Sequence, residues 1–69
     1  MIREILFNII DNSPSDTIIT IYTYCGEKYN IPISYNGVLS IYDDYLNIDY
    51  SYDNVIIPFS SICHIKVHK

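Results

Sequence analysis

From Thr17 to the C-terminus the chain is a succession of short segments rich in β-branched and aromatic residues, each closed by turn-forming residues. That pattern leaves room for little but strands. Thr17 to Cys25 opens the series, with Ile19 and Ile21 on one side of the pleat and Tyr22 and Tyr24 on the other. Gly26-Glu27 supplies a bend. Tyr29 to Ser34 continues in extended form, where Pro32 argues for an edge strand or a bulge. Asn36-Gly37 is a strong turn signal. Val38 to Tyr42 and Leu46 to Tyr50 follow, joined around Asp43-Asp44. Asp53-Asn54 is expected to turn the chain again, before Val55 to Phe59 and Ile62 to Val67, with Ser60-Ser61 between them. Short strands with tight turns at this spacing suggest a small closed or strongly bent barrel of about five strands.

The first residues differ in kind. Ile2, Ile5, Leu6 and Ile9 recur at i, i+3, i+4 and i+7, one face of a helix of about two turns. Alone so short a helix would melt, so it must dock on something. Pro14, within Asn12-Ser13-Pro14-Ser15-Asp16, ends it. The expected fold is therefore mainly β: a short N-terminal helix, then a strongly bent five-stranded antiparallel barrel, in a single domain spanning residues 1–69.

A chain of 69 residues buries only roughly 60% of the surface its unfolded form exposes, so its own core is marginal. Domains of this size usually need disulfides, a metal or a partner subunit. The two cysteines, Cys25 and Cys63, are a poor staple. Met1-Ile2-Arg3-Glu4 puts an acid where a secretory signal carries bases, so a cytoplasmic chain with reduced thiols is expected. No apolar stretch approaches the roughly 20 residues of a membrane helix, and no membrane partner is expected. The last strands point to self-association. Val55-Ile56-Ile57 and Ile62-Cys63-His64-Ile65 are apolar on both faces, and an open edge of that kind aggregates unless a neighbouring copy covers it.

Charge narrows the partners. The net charge is −4, with only four Lys and Arg, three of them near the ends as Arg3, Lys66 and Lys69. A general electrostatic grip on double-stranded DNA needs a basic face, so that function is excluded. Recognition of single bases rests on stacking and hydrogen bonds and stays open. Eight tyrosines fit a stacking platform, but also a barrel wall, an interface or a simple codon bias. His64 and His68 share a strand face beside Cys63, with Cys25 the one further candidate ligand. Zinc wants three or four converging ligands, and paired histidines near a C-terminus are more often solvated, so no metal or other cofactor is expected. Asp43, Asp44, Asp49 and Asp53 lie in turns, whereas catalytic carboxylates need a buried cleft. With no nucleophile–base pattern and no phosphate-cradling loop, the chain reads as a binding protein and not an enzyme.

The segment Gly37-Val38-Leu39-Ser40-Ile41-Tyr42-Asp43-Asp44-Tyr45-Leu46-Asn47-Ile48 resembles the first signature motif of the Sm and Sm-like family, which includes Hfq. That motif runs Gly, any, apolar, three variable positions, Asp, two variable, apolar, Asn, apolar. The physics agrees with it. Gly37 permits a strong bend, Leu39, Leu46 and Ile48 alternate into a core, and Asp43 can accept backbone N–H bonds in the turn. The Asn47 amide offers a donor and an acceptor, which matches the edge of a uracil or adenine. The resemblance implies homo-oligomeric rings of six or seven copies, paired through strand edges. It implies a base stacked on Tyr45 and bonded by Asn47, with Asp43 orienting the turn. The apolar positions of the family's second motif correspond to Ile57, Ile62 and Ile65. Its usual Arg-Gly is replaced by Pro58-Phe59, so the covering cation is missing and the Phe59 ring stands in its place.

The expected function is a ring-forming binder of single-stranded RNA or nucleotide bases at the motif turn, with Tyr45, Asn47, Asp43 and Phe59 as its ligand-binding residues. The alternatives are an oligomeric protein that sequesters a small signalling nucleotide, and a structural or protein-interaction module with no nucleotide ligand. A different five-stranded barrel, closer to an SH3-like one, is the alternative fold.

Overall fold

The computed structural model of the chain describes residues 2–34, 39–50 and 52–68. Helix α1 spans Ile2–Asn12, a turn longer than its apolar spacing suggested. Glu4 in its first turn opposes the positive end of the helix dipole. At the other end the Asn12 amide Nδ2–H donates to the Asn8 carbonyl at 2.9 Å, satisfying one of the last acceptors before Pro14. The docked face is rotated from the expected one. Leu6 is fully buried and Ile2, Ile9 and Ile10 pack against the core, whereas Ile5 is 50% exposed.

Among the described residues six strands follow, not five: β1 Ile18–Thr23, β2 Lys28–Pro32, β3 Leu39–Ile41, β4 Tyr45–Tyr50, β5 Asp53–Pro58 and β6 Ile62–His68. A short 3₁₀ turn, Phe59–Ser61, links the last two. They form two three-stranded antiparallel sheets, in the orders β2-β1-β6 and β3-β4-β5, and among the described residues neither sheet closes on itself. Ladder pairing of β2 on β1 ends at Ile18–Pro32, the Ile33 N–H makes one further bond to the Thr17 carbonyl at 3.2 Å, and residues 33–34 turn before β3 pairs in the other sheet. As its proline implied, β2 is an edge strand. The Asn36-Gly37 turn and the bend at Gly37 lie outside the described residues.

Two hairpins have local causes. Between β1 and β2, Gly26 takes φ +90°, a conformation L side chains rarely adopt. Its N–H donates to the Thr23 carbonyl at 3.1 Å, and the Glu27 N–H donates to Thr23 Oγ1 at 3.1 Å. Between β4 and β5 the reversal comes earlier than expected. Tyr50 already pairs with Asp53, so Asp53-Asn54 begin a strand.

Both sheets and the helix feed one apolar cluster: Leu6, Ile19, Ile21, Ile31, Leu46, Ile48, Ile57 and Ile62. Strand alternation explains most of this set. Ile62 and Ile65, three apart, both face inward only because the ladder slips at the start of β6. Thr23 pairs with Ile62 while Tyr22 pairs with His64, leaving Cys63 as the extra, exposed residue of a bulge.

Thr17 is fully buried beside this core, and its Oγ1 has no hydrogen-bond partner among the described residues. An orphaned buried hydroxyl costs roughly 1–3 kcal/mol. Thr17→Val keeps the shape and removes the orphan, so urea unfolding should show a stability gain of about 1 kcal/mol. A loss of stability would mean that the hydroxyl is bonded in solution.

Candidate functional site

Strand β4 is the centre of its sheet. Leu46 and Ile48 point into the core and are fully buried, so Tyr45, Asn47 and Asp49 stand on the opposite, outer face. Register assembles their neighbours. Tyr45 pairs with Pro58 of β5, and Asn47 lies between Ser40 of β3 and Ile56 of β5. Asp49 pairs with Asn54.

The turn from β3 to β4 is held tightly. The Tyr42 N–H donates to the Tyr45 carbonyl at 2.9 Å across Asp43-Asp44. This places the Tyr42 and Tyr45 rings face to face, with centroids 4.7 Å apart and planes 16° from parallel. The Asn47 amide sits half-buried beside them and makes no side-chain hydrogen bond among the described residues. Its donor and acceptor are free for a ligand edge. A stacked aromatic pair next to an open amide can sandwich or extend a planar ring and read its polar edge.

The structure thus brings Tyr45 and Asn47 together and adds Tyr42. The other two expected residues are placed differently. Asp43 makes no turn-fixing hydrogen bond among the described residues. Its carboxylate is almost fully exposed and lies 3.7 Å from Arg3 Nε of the helix. An ion pair so open to water contributes little stability. Phe59 reaches the turn through its backbone, since its N–H donates to the Asp44 carbonyl at 2.9 Å, but its ring packs against the core. That bond locks the 3₁₀ turn onto the β3–β4 turn.

Two residues at the turn escaped sequence reasoning. Tyr42 was hidden among many tyrosines, although its spacing of three from Tyr45 across a two-aspartate turn is a usable signal. Arg3 carries no sequence signal at all. It arrives because α1 docks with its N-terminus beside the turn, where Arg3 also lies over the Phe7 ring, 5.1 Å from its centroid.

Among the described residues no three His, Cys, Asp or Glu side chains gather as a metal site. His64 instead stacks on Tyr22 with centroids 4.2 Å apart, and its Nδ1 is 3.4 Å from Cys63 Sγ. Cys25 and Cys63 are free, exposed thiols. Burial pushes the phenol of Tyr50 up from its ordinary value. Burial, and then the Glu27 carboxylate beside it, does the same for Tyr29. Both phenols pack on the core side, away from the candidate face. No described helix is long and apolar enough to cross a membrane. The chain matches no protein-family model, no curated protein and no solved structure.

Proposed function

We propose that the chain is an Sm-like protein that assembles as a cytoplasmic ring of six or seven copies and binds bases of single-stranded RNA or a nucleotide at the β3–β4 turn of each copy. The observation that carries this reading is the stacked Tyr42–Tyr45 pair beside the unbonded Asn47 amide. Topology supports it. With β2 and β3 taken as halves of one strand, the sheets join in the order β6-β1-β2/β3-β4-β5, the path of a bent five-stranded barrel. Open strand edges support assembly. β5 and β6 each end a sheet, and Ile56 on β5 is 63% exposed. One copy's β5 paired with the next copy's β6 covers both edges.

The electrostatics favour a short ligand. Residues 39–58, the whole of the β3-β4-β5 sheet, hold four aspartates and no Lys, Arg or His. A long polyanion gains little from such a surface, whereas stacking and an amide contact depend weakly on charge. This favours, as a second reading, the sequestering of a mononucleotide or cyclic nucleotide by the same site.

Native mass spectrometry on protein purified without denaturation tests both. A ring of six or seven copies carrying extra mass is expected, and that mass separates a nucleotide from an oligonucleotide. A bare monomer at micromolar concentration overturns the assembly and the site built on it.

A further inference from the structure

Consecutive residues of a strand point to opposite faces, so their side chains do not meet. Cys63 and His64 depart from that rule. The ladder to β1 slips between them and Ile62: Thr23 pairs with Ile62, Tyr22 pairs with His64, and Cys63 is the additional residue. A bulge of this kind re-aims a side chain. Here it brings Cys63 Sγ to 3.4 Å from His64 Nδ1. Both side chains are exposed. The imidazole is held from a second direction. It lies flat on the Tyr22 ring, with centroids 4.2 Å apart and planes 15° from parallel. In the tautomer that carries its proton on Nε2, Nδ1 accepts from the thiol.

The other thiol is equally open and has a different neighbour. Cys25 Sγ donates to the Glu27 carboxylate Oε1 at 3.5 Å and lies 3.1 Å from Thr23 Oγ1. A carboxylate is a far weaker base than an imidazole and takes a thiol proton less readily. Around His64, the ionisable side chains on the outer face are Tyr22 on β1, Lys28 on β2, and Lys66 and His68 on β6. Lys66 Nζ lies 5.5 Å from the Tyr22 centroid. Among the described residues no carboxylate lies in these paired positions, whereas Glu27 stands in the β1–β2 turn beside Cys25.

We propose that Cys63 and His64 are a nucleophile–base pair and that Cys63 is a site of reversible modification by small disulfides. An activated nucleophile needs a base within hydrogen-bond reach, itself positioned by a third group, and Cys63, His64 and Tyr22 supply these parts. In the step, the thiol proton passes to His64 Nδ1 as Cys63 Sγ attacks one sulfur of the disulfide. The S–S bond breaks, its electron pair leaves on the other sulfur, and the imidazolium returns the proton to that thiolate. One thiol and one disulfide become a mixed disulfide and a new thiol, with no further oxidant. The reaction is independent of base binding at the β3–β4 turn.

The chromogenic disulfide dithiobis(nitrobenzoic acid), added below one equivalent to the native wild-type protein, reads the preference directly. Digestion and mass spectrometry should find Cys63 labelled at least about tenfold more than Cys25 at neutral pH, where an ordinary thiol is only a few per cent thiolate. In urea the preference should vanish. With Cys25→Ser isolating Cys63, His64→Gln should slow labelling about tenfold, and circular dichroism checks that the fold is kept. The pH profile separates a base from a merely structural histidine. A thiol with no base beside it loses about 15-fold in rate between about pH 8.5 and pH 7, as its thiolate share falls. Cys63 should lose under about threefold, and His64→Gln should restore the steep dependence. Equal labelling of the two thiols, faster labelling of Cys25, or a rate and pH profile unchanged by His64→Gln would each overturn the proposal. Cys63 lies on the edge strand β6, so a neighbouring copy that covered it would also appear as slow labelling, and that result too would overturn it.

Discussion

Leu6→Ala should lower the thermal unfolding midpoint by roughly 15–30 °C. Leu6 is fully buried where α1 meets the isoleucines of both sheets, so no other side chain of the helix is as enclosed. Truncating such a leucine costs about 2.7–5 kcal/mol, transfer term and cavity together. A chain of 69 residues has a total stability of only about 3–10 kcal/mol, so this one change removes a large share of it. Ile5→Ala, one residue away, is the control. Ile5 is 50% exposed, and its truncation should cost under about 1 kcal/mol. Thermal melts followed by circular dichroism compare the two directly. Equal, small shifts would mean that the helix is not a wall of the core.

Asn47→Ala combined with Tyr45→Ala should weaken base binding at least about 30-fold while leaving the oligomer mass unchanged. A bidentate contact to a base edge and a base–aromatic stack are each worth roughly 1–3 kcal/mol. Both side chains stand on the outer face of β4, with Leu46 and Ile48 beneath them untouched, so folding has no reason to fail. The single changes divide the loss. Asn47→Ala removes discrimination between bases, because the donor and acceptor go. Tyr45→Ala weakens all bases alike, because every base has a face to stack. Tyr42→Ala, which deprives Tyr45 of its stacked support, should show a smaller, equally unselective loss. Titration of short oligonucleotides and mononucleotides by fluorescence anisotropy reads all three, and unchanged affinity in the double variant ends the assignment of this face.

Much of this architecture was legible residue by residue. Ile19 and Ile21 announce a strand with one buried face, Gly26-Glu27 a bend, and Pro32 an edge or a bulge. Leu46 and Ile48 imply that Asn47 faces outward. These features depend on a residue and its near neighbours, through β-branching, backbone freedom and the two-residue period of the pleat. The helix face was nearly right, but whether Ile5 or Ile10 turns inward depends on how α1 rolls onto the sheets, and its own spacing allows either. The inward pointing of both Ile62 and Ile65 contradicts strand alternation until pairing with β1 introduces the bulge at Cys63.

The functional surfaces divide along the same line. The sequence by itself determined which side chains flank the β3–β4 turn, because Tyr42, Tyr45 and Asn47 are neighbours in the chain and a tight turn is a local event. Only the tertiary structure decided what else comes near. It brought Arg3 of the helix to Asp43, turned the Phe59 ring into the core, and laid Lys28 of β2 and Lys66 of β6 on one face, on either side of β1. Those placements follow from strand order and register. Burial of a shared core selects both, summed over contacts between residues far apart in the chain, and no local window of sequence contains that sum.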